Sequence, residues 1–204
     1  MSFLAAAGIC LAALLVAAMV LMSGFGLGTL LTPLFVLFYD IKIAVLLVAI
    51  VHFSNNLFKL GLFFRHLDMA ILKRFGALSI VGALVGSLLQ AWFQSGTLKI
   101  GLGILLVILG AVEFLPSHFS WRILVATATI IACLIDVTRI PIYLLNYRHA
   151  VVTAWPYLIA TILSAFVGTL VGKWLLDIVT LGAFRRVVAG SVVVVGIAMA
   201  TALI

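Results

Sequence analysis

The chain has 204 residues, of which 67% are hydrophobic and only 8% charged, with a net charge of +7. Soluble domains carry about 25% charged residues, so a soluble fold is excluded, and the continuous rather than alternating apolar runs exclude a β-barrel. The basic residues gather at the ends of those runs, where they set topology and meet lipid headgroups, so no nucleic-acid partner is expected.

Apolar runs of about 20 residues, enough to cross ~30 Å of hydrocarbon as a helix, recur along nearly the whole chain. They predict helices at 3–22, 28–39, 43–64, 73–93, 99–115, 121–147, 151–177 and 183–204. The opening Met1-Ser-Phe-Leu lacks a basic n-region, so the first run reads as a retained span. Cys10 and Cys133 lie in apolar runs without CxxC spacing and read as packing residues rather than a disulfide.

Ser23-Gly-Phe-Gly-Leu-Gly-Thr-Leu-Leu-Thr-Pro33 comes after the first span. Gly24, Gly26 and Gly28 weaken a helix there and permit close approach by another group. A short helix starting near Thr29 would present free N–H groups and its positive dipole end to whatever fills the break. No strand precedes the glycines, which removes the nucleotide-binding reading. Helix packing is the plainer alternative.

In the third run, His52, Asn55 or Asn56, and Lys59 fall at i, i+3 or i+4, and i+7, so they share a helix face, with His52 and the Asn pair near the middle of the span and Lys59 deep enough to snorkel only partly towards the Arg65 side. Asn in hydrocarbon must find partners, either on neighbouring helices or in a hydrated substrate. Glu113 lies near a span end and reads as interfacial. Further on, Asp136-Val-Thr-Arg139-Ile-Pro141 puts an acid, a base and a helix breaker into one turn inside an apolar run. Each charge at mid-bilayer costs roughly 2.5–3.5 kcal/mol on insertion scales. Asp136 and Arg139 are spaced to pair with each other; alternatively Arg139, with Thr138 beside it, offers a planar fork to an oxyanion while Asp136 restrains it or exchanges protons. His52 and Asp136 are the candidate proton carriers. Pro33 and Pro141 are the candidate helix breaks, expected to face each other across a polar chamber.

Val81-Gly-Ala-Leu-Val-Gly86 recurs as Val167-Gly-Thr-Leu-Val-Gly172, and the register carries Gly110 onto Gly196 and, with a gap, Pro33 onto Pro141. The interval from proline to first motif glycine is 22 residues longer in the first copy, the length of helix 43–64. Losing one crossing inverts the rest of the second copy. The expected fold is therefore an all-α membrane protein, a polytopic bundle of seven to eight transmembrane spans. It is built from two inverted, unequal repeats, 3–115 and 121–204, in one domain. Whether 23–39 crosses or re-enters decides the count. Arg65, Lys73, Arg74, Arg122, Lys173, Arg185 and Arg186 mark one side as cytoplasmic, against Lys42, Lys99 and Arg148 on the other. Trp92, Trp121, Trp155 and Trp174 fall near span ends as an aromatic belt.

Taken in order, Gly24-Phe-Gly-Leu-Gly-Thr-Leu-Leu-Thr-Pro33, His52-Phe-Ser-Asn-Asn-Leu-Phe-Lys59 with Arg65-His-Leu-Asp68, and Asp136-Val-Thr-Arg-Ile-Pro-Ile-Tyr143 resemble the TauE/SafE family of sulfite exporters. The resemblance implies two related halves, seven to nine membrane helices and transport of sulfite or small organosulfur anions. The expected activity is that of a secondary transporter, an exporter in direction, working by alternating access in the bacterial inner membrane, with no cofactor and no metal expected. Substrate-binding candidates are Gly24, Gly26, Gly28, Thr29, Thr32, His52, Asn55, Asn56, Lys59, Thr138 and Arg139. The partners are the anion, the bilayer and, as an open option, further copies of the chain. No Walker motif is present, so ATP is not the direct energy source. The competing readings are a structural or assembly subunit and an intramembrane enzyme built on His52 with Asp136 or Cys133.

Overall fold

Hydrocarbon offers backbone N–H and C=O groups no water to bond, so a chain this apolar must satisfy them within helices. A computed structural model describes residues 3–23, 26–63, 65, 68–112, 114, 121–175 and 181–201, and every regular element among them is helical. In chain order these are α1 (Phe3–Ser23), α2 (Leu27–Val36), α3 (Ile41–Phe63), α4 (Met69–Trp92), α5 (Ser95–Val112), α6 (Trp121–Leu175) and α7 (Leu181–Ala200). Four, namely α3, α4, α5 and the Val125–Leu175 part of α6, are long and apolar enough to cross a membrane. Gly24, Glu113 and the ends of the chain lie outside the described residues.

Two helices begin earlier than hydropathy suggests because acidic caps start them. Asp68 accepts from the backbone N–H of Ala70 and Ile71 at 2.9 and 3.1 Å, satisfying two of the first-turn donors, which draws Lys73 and Arg74 inside α4. Asp40 accepts from the Lys42 N–H at 2.9 Å at the start of α3. With ten residues, α2 is about 15 Å long, half the thickness of the hydrocarbon.

Two expected helices are joined in α6, and the break does not fall where proline placed it. The helix runs through Pro141 and departs from helical geometry at Tyr147 (φ −127°, ψ 22°). Membrane helices tolerate an interior proline when local adjustment covers the freed carbonyl, whereas Asn146, Tyr147 and Arg148 form a polar group suited to a span end. The chain doubles back there. Asp136 and Thr169 both bond to α3, to His52 and Asn55, which lie within one turn of each other. A straight helix would hold positions 136 and 169 about 50 Å apart. The first limb (121–147) and second limb (148–175) are thus two antiparallel passes, as the spans 121–147 and 151–177 anticipate.

α1, α2, α3 and the second limb enclose the largest apolar cluster, which includes Ala13, Ala17, Leu27, Leu31, Leu47, Val51 and Ala165. By contrast α4 and α5 form the rim, with most of their apolar surface exposed. Trp92, Trp155 and Trp174 are exposed near helix ends; the Trp121 side chain lies outside the described residues.

The duplicated glycine motif behaves differently in its two copies. A Cβ on Gly168 would collide with the Leu14 carbonyl of α1, and one on Gly172 would lie 2.7 Å from the Ala18 carbonyl. Around Gly82 and Gly86 nothing lies within 4 Å. In α5 and α7, Gly103 sits against Ala200 and Gly196, and Gly110 against Val193 and Ala189, so the two helices run antiparallel with backbones nearly touching. Gly168→Ala is therefore expected to cost about 1–3 kcal/mol by overpacking against backbone. Gly82→Ala should be neutral, or stabilising by up to about 1 kcal/mol through helix propensity. Thermal unfolding in detergent checks the pair, and equal effects would refute the packing assignment.

Candidate functional site

A cavity of about 80 Å³ lies between α1, α3 and the first limb of α6, walled by Val20, Leu21, Gly26, Val125, Ala128 and Ala132, with His52, Asn56, Lys59 and Thr129 as its polar groups. That volume admits a few waters or one small oxyanion. Helical periodicity assembles it. On α3, positions 52, 56 and 59 recur on one face, and on α6 positions 125, 129, 132 and 136 do the same.

Behind the lining residue His52 stands Asp136, whose side chain is fully buried. Its Oδ2 lies 2.6 Å from His52 Nδ1, and its Oδ1 accepts from Arg139 Nε at 2.9 Å with Nη2 at 2.6 Å. Both carboxylate oxygens are thus in use, and the short contact to His52 places that ring's proton on Nδ1. Asn56 Nδ2 stands 3.2 Å from both His52 ring nitrogens. The in-plane lone pairs of those nitrogens diverge, so a group equidistant from them sits over the ring face. Nε2 consequently has no partner in the ring plane among the described residues. Beside it lies Gly26, where a Cβ would be 3.7 Å away.

Lys59 is buried at 5% exposure and lines the cavity. Among the described residues it has neither a hydrogen-bond nor an ion-pair partner. An ammonium in that position is expensive unless a counter-charge arrives. Asn55, one face over, accepts from Thr169 Oγ1 at 2.8 Å while its buried Nδ2 has no partner among the described residues, and so ties α3 to the second limb.

The remaining expected residues disperse. Arg139 turns to Asp136 rather than to the cavity. Thr138 bonds back to the Leu134 carbonyl at 2.7 Å. Thr29 and Thr32 bond to the carbonyls of Gly26 and Gly28, both at 2.6 Å. Thr29 and Pro33 line an apolar groove against α7. Gly28 lies along the His52 ring, and a Cβ on it would stand 3.8 Å from the ring Cδ2. Pro141 is exposed within an unbroken stretch of α6, so the prolines do not face one another across a chamber. The polar cavity lies elsewhere, between α1, α3 and the first limb of α6.

Two contributors escaped the sequence reading. Thr129 lies seven residues before Asp136, on the same helix face, and that spacing is a signal. Thr169 replaces Ala83 at the one position where the duplicated hexapeptide differs, which is a second.

Apolar helices long enough to cross a membrane, around a small cavity lined by His52, Asn56, Lys59 and Thr129, define an integral membrane protein. A family model described as Sulfite exporter TauE/SafE matches residues 9–120, just over half of the chain. The chain belongs to this family of membrane transport proteins. No curated protein and no solved structure matches it. The matched segment supplies α1 to α5, and hence Gly26, His52, Asn56 and Lys59; the α6 wall with Thr129, and the Asp136–Arg139 pair behind it, lie beyond it.

Proposed function

We propose that the protein is a secondary transporter that moves sulfite or a small related sulfur anion across a bacterial inner membrane, with the cavity at Lys59 as its binding site. One observation carries this reading: a buried ammonium without a counter-ion among the described residues faces a space of oxyanion size. Lys59 is the charge that draws the anion, with Asn56 and Thr129 as hydrogen-bond donors. Arg139 takes a supporting part because Asp136 already occupies its guanidinium. His52 and Asp136 are the pair placed to hold a proton.

Alternating access would come from movement of the two halves about this cavity, in a bundle of seven to eight spans with inverted repeats. The antiparallel packing of α5 on α7 and the doubling back of α6 support that topology. A negative-inside potential favours anion exit by about 2.3 kcal/mol per charge per 100 mV, which makes export the downhill direction.

The test is uptake and efflux of radiolabelled sulfite and small sulfonates in proteoliposomes containing only this protein. Saturable flux above that of protein-free vesicles is expected, and Lys59→Gln should remove it. Absence of any flux or binding for all of these anions would refute the proposal. Substitutions at Lys59 and Arg139 that both leave flux intact would refute the site.

A further inference from the structure

Among the described residues, the charges around the cavity add up to a single unmatched positive one. From α3 come Lys59 and His52; from α6 come Asp136, Arg139, Cys133 and Tyr143; the faces of α1 and α2 at this point, Val20, Leu21, Gly26 and Gly28, carry no titratable group. Asp136 and Arg139 cancel as an ion pair. His52 donates a hydrogen bond from Nδ1–H to Asp136 and keeps an Nε2 lone pair without an in-plane partner. The site therefore offers one ammonium and one vacant acceptor, side by side, in a space of about 80 Å³.

We infer that the cavity selects the protonated monoanion, hydrogen sulfite, over the sulfite dianion, with Lys59 meeting the charge and His52 Nε2 accepting a hydrogen bond from the acid proton. This rests on the function proposed above and specifies the form of the substrate. A dianion would leave one negative charge uncompensated in low dielectric, where unpaired charge is costly, and it would bring two acceptors to a histidine nitrogen that donates nothing. A monoanion with an acidic proton satisfies both groups. The Asp136–Arg139 pair acts as the element that keeps the imidazole in this tautomer: Asp136 holds Nδ1–H, and Arg139 fixes the carboxylate in place through its other oxygen. The cargo then takes its own proton along, while the proton held between His52 and Asp136 stays in place and fixes the tautomer.

The experiment measures binding of sulfite and of chlorate to the purified protein by calorimetry, across the pH range of sulfite's second ionisation. Chlorate has the same three-oxygen pyramidal shape and a single charge at every pH, but no acid proton. Sulfite affinity, expressed per total sulfite, is expected to fall about tenfold for each pH unit above that ionisation, as the competent form is depleted. Chlorate should bind more weakly or not at all, with no matching pH dependence. His52→Gln should bring sulfite and chlorate close to equal affinity, and its retained chlorate or sulfite binding shows that the variant is folded. A sulfite affinity that rises with pH means that the dianion is the ligand and overturns the inference while sparing the proposed function. Parallel loss of chlorate and sulfite with pH places the titration on the protein and overturns it as well. No sulfite binding at any pH removes the proposed function along with it.

Discussion

Replacing Lys59 by methionine is expected to abolish transport and at the same time to make the protein harder to unfold. Methionine keeps the length and unbranched shape of the side chain, so the packing of α3 changes little. The charge that disappears is buried and has no partner among the described residues. Relieving it should stabilise the fold by roughly 2 kcal/mol, on the scale of the cost of a lysine at mid-bilayer. Flux should drop by about a hundredfold or more, because truncating one member of a buried charged contact costs about 2–5 kcal/mol of binding. Thermal unfolding in detergent and proteoliposome flux measure the two effects. A variant that is less stable than the parent would show that Lys59 serves the fold, and the anion-site assignment would fail.

Asp136→Asn should do the opposite to stability. Among the described residues it removes the one carboxylate that holds Arg139 and the partner that orients His52. Breaking a buried pair by deleting one side costs about 3–5 kcal/mol, which in a chain of this size lowers the melting midpoint on the order of ten degrees. Replacing both Asp136 and Arg139 by leucine should recover most of that stability, since apolar substitutes for a whole buried pair are often neutral or better. Flux should stay lost in the double variant, because His52 no longer has a fixed tautomer. If flux returns with stability, the pair is helix glue, as the competing structural reading would have it.

Much of the site was legible because a helix converts spacing into a face. The stripe His52, Asn56, Lys59 needed only the period of 3.6 and the rarity of such residues in lipid. The i, i+3 relation of Asp136 and Arg139 allowed the pair that is observed, yet it equally allowed an anion-binding fork, and nothing local distinguishes the two. His52 decides between them from 84 positions away, since it takes the second carboxylate oxygen. The proline reading went astray for a related reason. Proline removes one donor wherever it stands, but whether a helix bends there depends on the surroundings, and α6 gives way at Tyr147 instead. The duplicated hexapeptide was visible, whereas its unequal use was not: Gly168 and Gly172 meet α1, and Gly82 and Gly86 meet nothing within 4 Å.

Composition and apolar run length were enough to set the solvent, the helical class and the order and rough extent of the helices, because lipid leaves the backbone few alternatives; the order of the polar motifs added the family. Packing between distant helices decides what local spacing left open. Arg139 has Asp136 three residues before it in any helix, whereas only the fold brings His52 to the other carboxylate oxygen and sets Lys59 against an empty space.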